Sequence, residues 1–337
     1  MTRDVLWTEK YRPESLEEIV DQRSVVERLK SYTKEGTIPN LIFFGPSGTG
    51  KTSMAYAISK ELYGGSSNEN LTYLDASNIF GMGKSYLKSE DRFMRFYDDY
   101  KPVIEIFKEI INEYSSLAPF NSDFKIIFFN NAEYLTTDAQ QALRRIIEKY
   151  NRTTRFIFAT THPSKLITPI RSRCLNLHFR RVPDESIAQM CLLVAESEGL
   201  KVTDDGINAV VYVANGDVRR AINTLQAASI SESDVDALTV FKVTKTMRLM
   251  EASELIELAI DGDNMGTRDV IDRMLIDQGL SGDEIISRVR LSVLNLGISE
   301  ERIARLLSWI GDTDMNILEG LNERIHLEEM FSKFNKC

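Results

Sequence analysis

The stretch NLIFFGPSGTGKTS, Asn40 to Ser53, constrains this chain more than any other. The apolar run at Asn40 to Phe44 reads as a short buried strand, and Thr52 to Tyr63 carries its apolar residues at helical spacing. Between them, Gly45 to Thr52 matches G-x-x-x-x-G-K-[ST] in full, in the strand-then-helix context the pattern requires. In such a loop Gly45, Pro46, Ser47, Gly48, Thr49 and Gly50 let backbone amides curl around phosphates. Lys51 then reaches the β- and γ-phosphates, and Thr52 offers its hydroxyl to Mg²⁺. A chance glycine-rich turn is the bland alternative, and the agreement of pattern with context argues against it. The stretch predicts a site for ATP or ADP with Mg²⁺. It establishes binding, not hydrolysis.

Further strands are predicted at Leu71 to Asp75, Lys125 to Phe129 and Arg155 to Thr160. Helices at Pro102 to Tyr114 and Asp138 to Tyr150 alternate with them. Such alternation implies a mostly parallel sheet covered on both faces, an α/β fold. Strand signal falls away after Phe179, and segments 184–198, 204–214 and 217–229 read as helices. A polar step at Ser231 to Asp236 opens a further helical region. The expected division is a nucleotide-binding domain at 1–162, a small helical lid at 163–234 and an all-helical domain at 235–337. The stretch Phe80 to Tyr100 mixes glycines, charges and aromatics with no clean period, and reads as a surface insertion or a partner contact.

The 41 basic and 50 acidic residues leave a formal net charge of -9. That argues against reliance on bulk positive charge to hold nucleic acid, though not against a local basic track. Cys174, Cys191 and Cys337 are too scattered for a disulfide framework or a cysteine zinc cluster, and His162, His178 and His326 form no ligand pattern. With no signal peptide and no run of transmembrane length, a soluble, cytoplasmic protein without membrane contact is expected.

In ATPases with a phosphate loop of this type a second strand normally ends in an Asp that holds Mg²⁺, and many carry a Glu beside it that polarises water. The second strand here, KIIFF, ends in Asn130 and Asn131. A neutral amide neither balances the metal's charge nor accepts a proton from water. Glu133 lies two residues on, beyond a short polar turn, a poor position from which to substitute. Asn also forms strand-to-helix turns well, which would deny chemistry while leaving a binding site intact.

At this point the chain resembles the small subunits of replication factor C, the sliding-clamp loader of archaea and eukaryotes, within the AAA+ ATPases. WTEKYRP at Trp7 to Pro13 is similar to the family's opening segment beside the adenine. Asp75–Ala76–Ser77 is similar to the end of its second strand. TTDAQQALRR at Thr136 to Arg145 follows the strand that in the family ends Asp-Glu-Ala-Asp and here ends Asn130–Asn131–Ala132–Glu133. Ser172–Arg173–Cys174 is the family hallmark, and GDVRRAINTLQ at Gly216 to Gln226 resembles its sensor-2 helix. SRC alone is weak, and the phosphate loop is widely shared; in this order together they are specific. The likeness is good over residues 5 to about 230. It departs at both acidic positions, at the sensor-1 position, where Thr161 replaces the usual Asn, and in the insert near 80–100.

The resemblance implies a pentamer with other small and large subunits that loads the ring-shaped clamp, PCNA, onto primed double-stranded DNA. It implies Arg173 as an arginine finger acting in the neighbour's site, Arg219 as a γ-phosphate contact, and residues 235–337 as a helical collar. Arg220 reads as a surface charge. Arg144, Arg145, Lys149 and Arg152 form the densest basic run of the first domain, suited to DNA phosphates and not to bases. The lost acids and sensor imply a subunit that binds nucleotide without efficient hydrolysis. A working motor subunit that uses Glu133, or another AAA+ DNA-processing motor, are the readings that remain beside it.

Overall fold

The computed structural model describes residues 6–231, 234–244, 247–277, 280–294, 298–319 and 323–335. Cys337 and part of the polar step after Ser231 lie outside them. The chain divides into two compact units, Met1–Val240 and Phe241–Cys337.

The first unit is built on five parallel strands in the order β2-β3-β4-β1-β5. These are β1 at Leu41–Phe44, β2 at Leu71–Asp75, β3 at Lys125–Asn130, β4 at Thr154–Thr160 and β5 at Leu175–His178. The near-continuous apolar strand sequences follow from burial on both faces. Alternation then sorts them. Ile127, Phe129, Phe156 and Phe158 join one apolar cluster, with the helices Val103–Ser116 and Thr137–Lys149. Leu41, Phe43, Ile126, Phe128 and Ile157 join a second cluster on the other face, against Arg23–Lys34 and the phosphate-loop helix Lys51–Tyr63. Strand β5, a short LNLH run, was not among the predicted strands; half its residues face solvent, so it lacks the buried-strand signature.

The Phe80–Tyr100 stretch is less of a surface insertion than its sequence suggests. It contains helices Lys84–Ser89 and Asp91–Met94, and Tyr86, Leu87, Phe93 and Phe96 are buried in the first cluster. Phe80 meets Phe107 edge-on, with ring centroids 5.1 Å apart. Its apolar residues follow no single period because several short turns, not one helix, bury them.

Helices Asp184–Ser197, Asp204–Ala214 and Val218–Ser231 complete the first unit, with a two-stranded parallel pairing of β6, Lys201–Val202, and β7, Asp234–Val235. Thr203 caps the middle helix by accepting from Gly206 N at 3.0 Å, and Asn215 ends it in the left-handed conformation. The second unit is helical and has its own core, including Leu255, Ile271, Val289, Leu306, Leu327 and Phe331. Among the described residues no helix is long and apolar enough to cross a membrane.

Candidate functional site

The carboxyl ends of β1, β4 and β3 lie side by side, the edge of a parallel sheet at which ligands bind. A cavity of about 620 Å³ opens there. The phosphate loop, Asn130, Asn131 and Thr161 line one side, and helices Asp184–Ser197 and Val218–Ser231 contribute Leu193, Val194, Arg219 and Ile222. Residues 8–14 close a third side. The segment at 7–11 is tied to the same two helices: Trp7 N donates to Gln226 Oε1 at 3.0 Å, and Lys10 Nζ and Tyr11 OH both donate to Glu198 Oε1, just past the first of them, at 2.6 Å. The mixture of apolar walls with a cationic loop suits a nucleoside carrying phosphates.

The loop adopts a curl that only its glycines permit. Gly48 has φ +65°, and a Cβ there would lie 1.7 Å from Asp217 Oδ1, just before helix Val218–Ser231. The contact is reinforced by Val218 N, which donates to Gly48 O at 3.0 Å. Lys51 Nζ donates to the carbonyls of Gly45 and Pro46 at 2.7 and 2.6 Å, and Thr49 Oγ1 donates to Pro46 O at 2.9 Å. Burial pushes the Lys51 pKa down to about 8, with Arg219 lowering it further while Glu133 and Asp217 oppose. A concentrated, partly desolvated positive charge under a ring of amides fits a polyphosphate.

At the end of β3 the two amides are engaged. Thr52 Oγ1 donates to Asn130 Oδ1 at 3.3 Å, and Asn130 Nδ2 donates to Asp75 Oδ2 at 2.8 Å. Asn131 is left-handed, with φ +51°, a conformation Asn tolerates, and its Nδ2 donates to Asp75 Oδ2 at 3.1 Å. Burial alone would raise the Asp75 carboxyl, but hydrogen bonds from Ser77, Asn130 and Asn131 prevail and hold its pKa below the ordinary value. Glu133 turns to the end of β4 instead: Thr161 Oγ1 donates to its Oε1 at 2.7 Å. Burial opposes ionisation of Glu133, yet hydrogen bonds from Thr161 and Thr160 prevail and its pKa is lowered. Its Oε2 is buried and has no hydrogen-bond partner. The Thr52 hydroxyl and the Asn130 amide oxygen thus meet on the phosphate-loop side, and both are neutral oxygens. Among the described residues no cluster of His, Cys, Asp and Glu could hold a metal by itself.

Arg173 lies outside this cavity, exposed after the short helix Thr168–Arg171. Its guanidinium donates to Glu148 Oε1 at 2.5 Å and to Pro169 O at 2.8 Å. Glu148 also faces Arg144 Nε at 3.7 Å. The Thr137–Lys149 helix buries Leu143, Ile146 and Ile147 and exposes Arg144, Arg145 and Lys149, with Arg152 exposed just beyond. Arg220 lies in the first turn of helix Val218–Ser231, where its N donates to Asp217 Oδ1 at 2.8 Å. Sequence places Asp75 at a strand end and Asp217 at a helix start, but assigns neither of them, nor Glu148, a role in the site. Asp75 ends a predicted strand, but its meeting with Asn130 depends on strand register, which single-sequence periodicity does not carry.

Residues 21–183 match the family model described as DNA polymerase III, delta subunit, and residues 248–333 match replication factor C C-terminal domain. The replication factor C small subunit of Archaeoglobus fulgidus is 37% identical over 324 residues, 96% of this chain and 95% of that protein. That of Halobacterium salinarum is 39% identical over 330 residues, 98% of this chain and 96% of that protein. Among solved structures, the Thermotoga maritima RuvB Holliday junction branch migration motor aligns with a TM-score of 0.52 at 17% identity, covering 74% of this chain and 79% of that one. At that identity the likeness speaks for the fold alone, a phosphate-loop AAA+ core. Nearly full-length relatives at more than a third identity, together with a C-terminal domain model of the same name, place the chain in the replication factor C small-subunit family of AAA+ clamp-loader proteins.

Proposed function

We propose that this chain acts in a clamp loader as a subunit that holds ATP or ADP with Mg²⁺ at Gly45–Thr52 but does not cleave it efficiently. The observation that carries the reading is the end of β3, where Asn130 and Asn131 stand and neither amide can act as a general base. Lys51, Thr52, Arg219 and Thr161 would contact the nucleotide and its metal, and the bound group would supply the driving ligand for loader closure. Helices 163–234 would serve as a lid, and 235–337 as the collar that joins subunits into a pentamer with other small and large subunits. The loader would place PCNA on primed double-stranded DNA, with Arg144, Arg145, Lys149 and Arg152 meeting phosphates.

Arg173 is proposed to act in trans, stabilising charge at a neighbour's site. Its position outside the chain's own cavity supports this. The pairing with Glu148 is no obstacle, because half-exposed ion pairs of this kind are worth about 0–1 kcal/mol. A second reading has one observation in its favour: the unpartnered Glu133 Oε2 could serve a working site. Its lowered pKa and its bond to Thr161 make it a weak and misdirected base. ATP turnover by the assembled loader, with clamp and primed DNA, separates the two. Arg173→Ala is expected to lower turnover at the site it serves by on the order of a thousandfold, while Lys51→Ala leaves most total turnover. Loss of most turnover through Lys51→Ala, with little effect from Arg173→Ala, would establish a working site here instead.

A further inference from the structure

The charge missing from the end of β3 has a counterpart one strand away. Asp75 and Asn130 are Cα partners in the parallel β2–β3 ladder, so sheet register itself sets them side by side. Asp75 is only 6% exposed, yet it is ringed by donors. Ser77 N donates to Oδ1 at 2.9 Å and Ser77 Oγ at 2.5 Å; Tyr73 OH donates to Oδ2 at 3.1 Å. With Asn130 and Asn131 added, every one of these partners is neutral, so the carboxylate's charge is not cancelled within the network.

This network dictates which way the Asn130 amide faces. Turning it over would set Oδ1 against the Asp75 carboxylate, acceptor against acceptor, and would point the amide NH₂ at Thr52 and any cation beside it. The observed arrangement holds Nδ2 on Asp75 and leaves Oδ1 on the Thr52 side. A carboxylate that grips the far side of a neutral ligand fixes its orientation and makes its oxygen a stronger acceptor, as carboxylates do behind metal-binding histidines.

We propose that Asp75 is a positioning residue for the metal side of the nucleotide site, acting through Asn130 in place of a carboxylate on β3. The inference rests on the nucleotide-binding reading above and deepens it. The two asparagines then do more than remove a base. Asn130 becomes an oriented oxygen ligand, direct or through water, and Mg²⁺ still tightens nucleotide binding. The same geometry explains why a single return to Asp at position 130 would not rebuild the site, since two carboxylates would face each other at hydrogen-bond distance.

The test is titration of the full-length chain with a fluorescent ATP analogue, in Mg²⁺ and in EDTA, alongside thermal unfolding. Asp75→Asn keeps the shape and removes the charge. It is expected to cut the Mg²⁺-dependent tightening by about tenfold or more, while affinity in EDTA changes by less than about twofold. Asn130→Asp alone is expected to lower both the Mg²⁺ response and the melting temperature. The exchange variant Asp75→Asn/Asn130→Asp should recover both, so the pair is read out even if one single variant folds poorly. An unchanged Mg²⁺ response in Asp75→Asn, or an Asn130→Asp variant that gains Mg²⁺ response without losing stability, overturns the proposal. So does an exchange variant no better than its parents. Absence of any Mg²⁺ effect in the unmodified chain overturns this inference alone, whereas absence of nucleotide binding overturns the underlying function as well.

Discussion

Lys51 carries its charge where burial resists it, and that makes the site sensitive to pH. With its pKa at about 8 in the free chain, the ammonium is nearly complete at pH 7 and largely lost at pH 9. Phosphates favour the charged form, so nucleotide binding raises this pKa and takes up a proton near pH 8. Affinity is therefore full below the free-chain pKa and falls above it, by about tenfold between pH 7 and pH 9. Calorimetric titrations in buffers of different ionisation heat should report about half a proton taken up at pH 8. Lys51→Ala should bind weakly with a flat profile; a flat profile in the unmodified chain would contradict the assignment.

At the scale of elements, the Thr137–Lys149 helix links three tasks. Its apolar face seals the sheet, its exposed arginines and lysine are the side chains proposed to meet DNA phosphates, and its Glu148 holds Arg173. It begins behind the β3 asparagines, where Thr136 Oγ1 accepts from Ala139 N at 3.3 Å, and Asp138 and Lys149 sit at the dipole ends that favour their charges. Thr136→Ala should lower stability by about 1 kcal/mol, seen as a lower urea midpoint with an unchanged slope. A substitution without effect would mean that packing of Leu143, Ile146 and Ile147 alone fixes where the helix starts.

For the whole molecule, two units with separate cores predict that unfolding departs from a single two-state step. The cavity lined by the phosphate loop lies wholly within the first unit. Mg²⁺–ATP at a hundredfold excess over Kd should therefore stabilise that unit by about 2.7 kcal/mol and leave the transition of the second unmoved. Calorimetry of the full chain with and without nucleotide checks this, and equal shifts of both transitions would show that the units unfold together.

The sequence by itself determined the phosphate loop, the alternating strands and helices, and the two asparagines that end β3, because each is written in contiguous residues or a short period. The buried aromatics of Phe80 to Tyr100 escaped it, since turns that change direction every few residues leave no period to read. Strand β5 escaped it because its exposed residues break the apolar run. Only tertiary structure decided what surrounds the two asparagines. Residue pairing across β2 and β3 brings Asp75, 55 positions away in the chain, onto the Asn130 amide, and the same folding turns Glu133 toward Thr161. Register between distant strands is set by how whole faces bury, so no local pattern could have revealed that the missing charge has a neighbour.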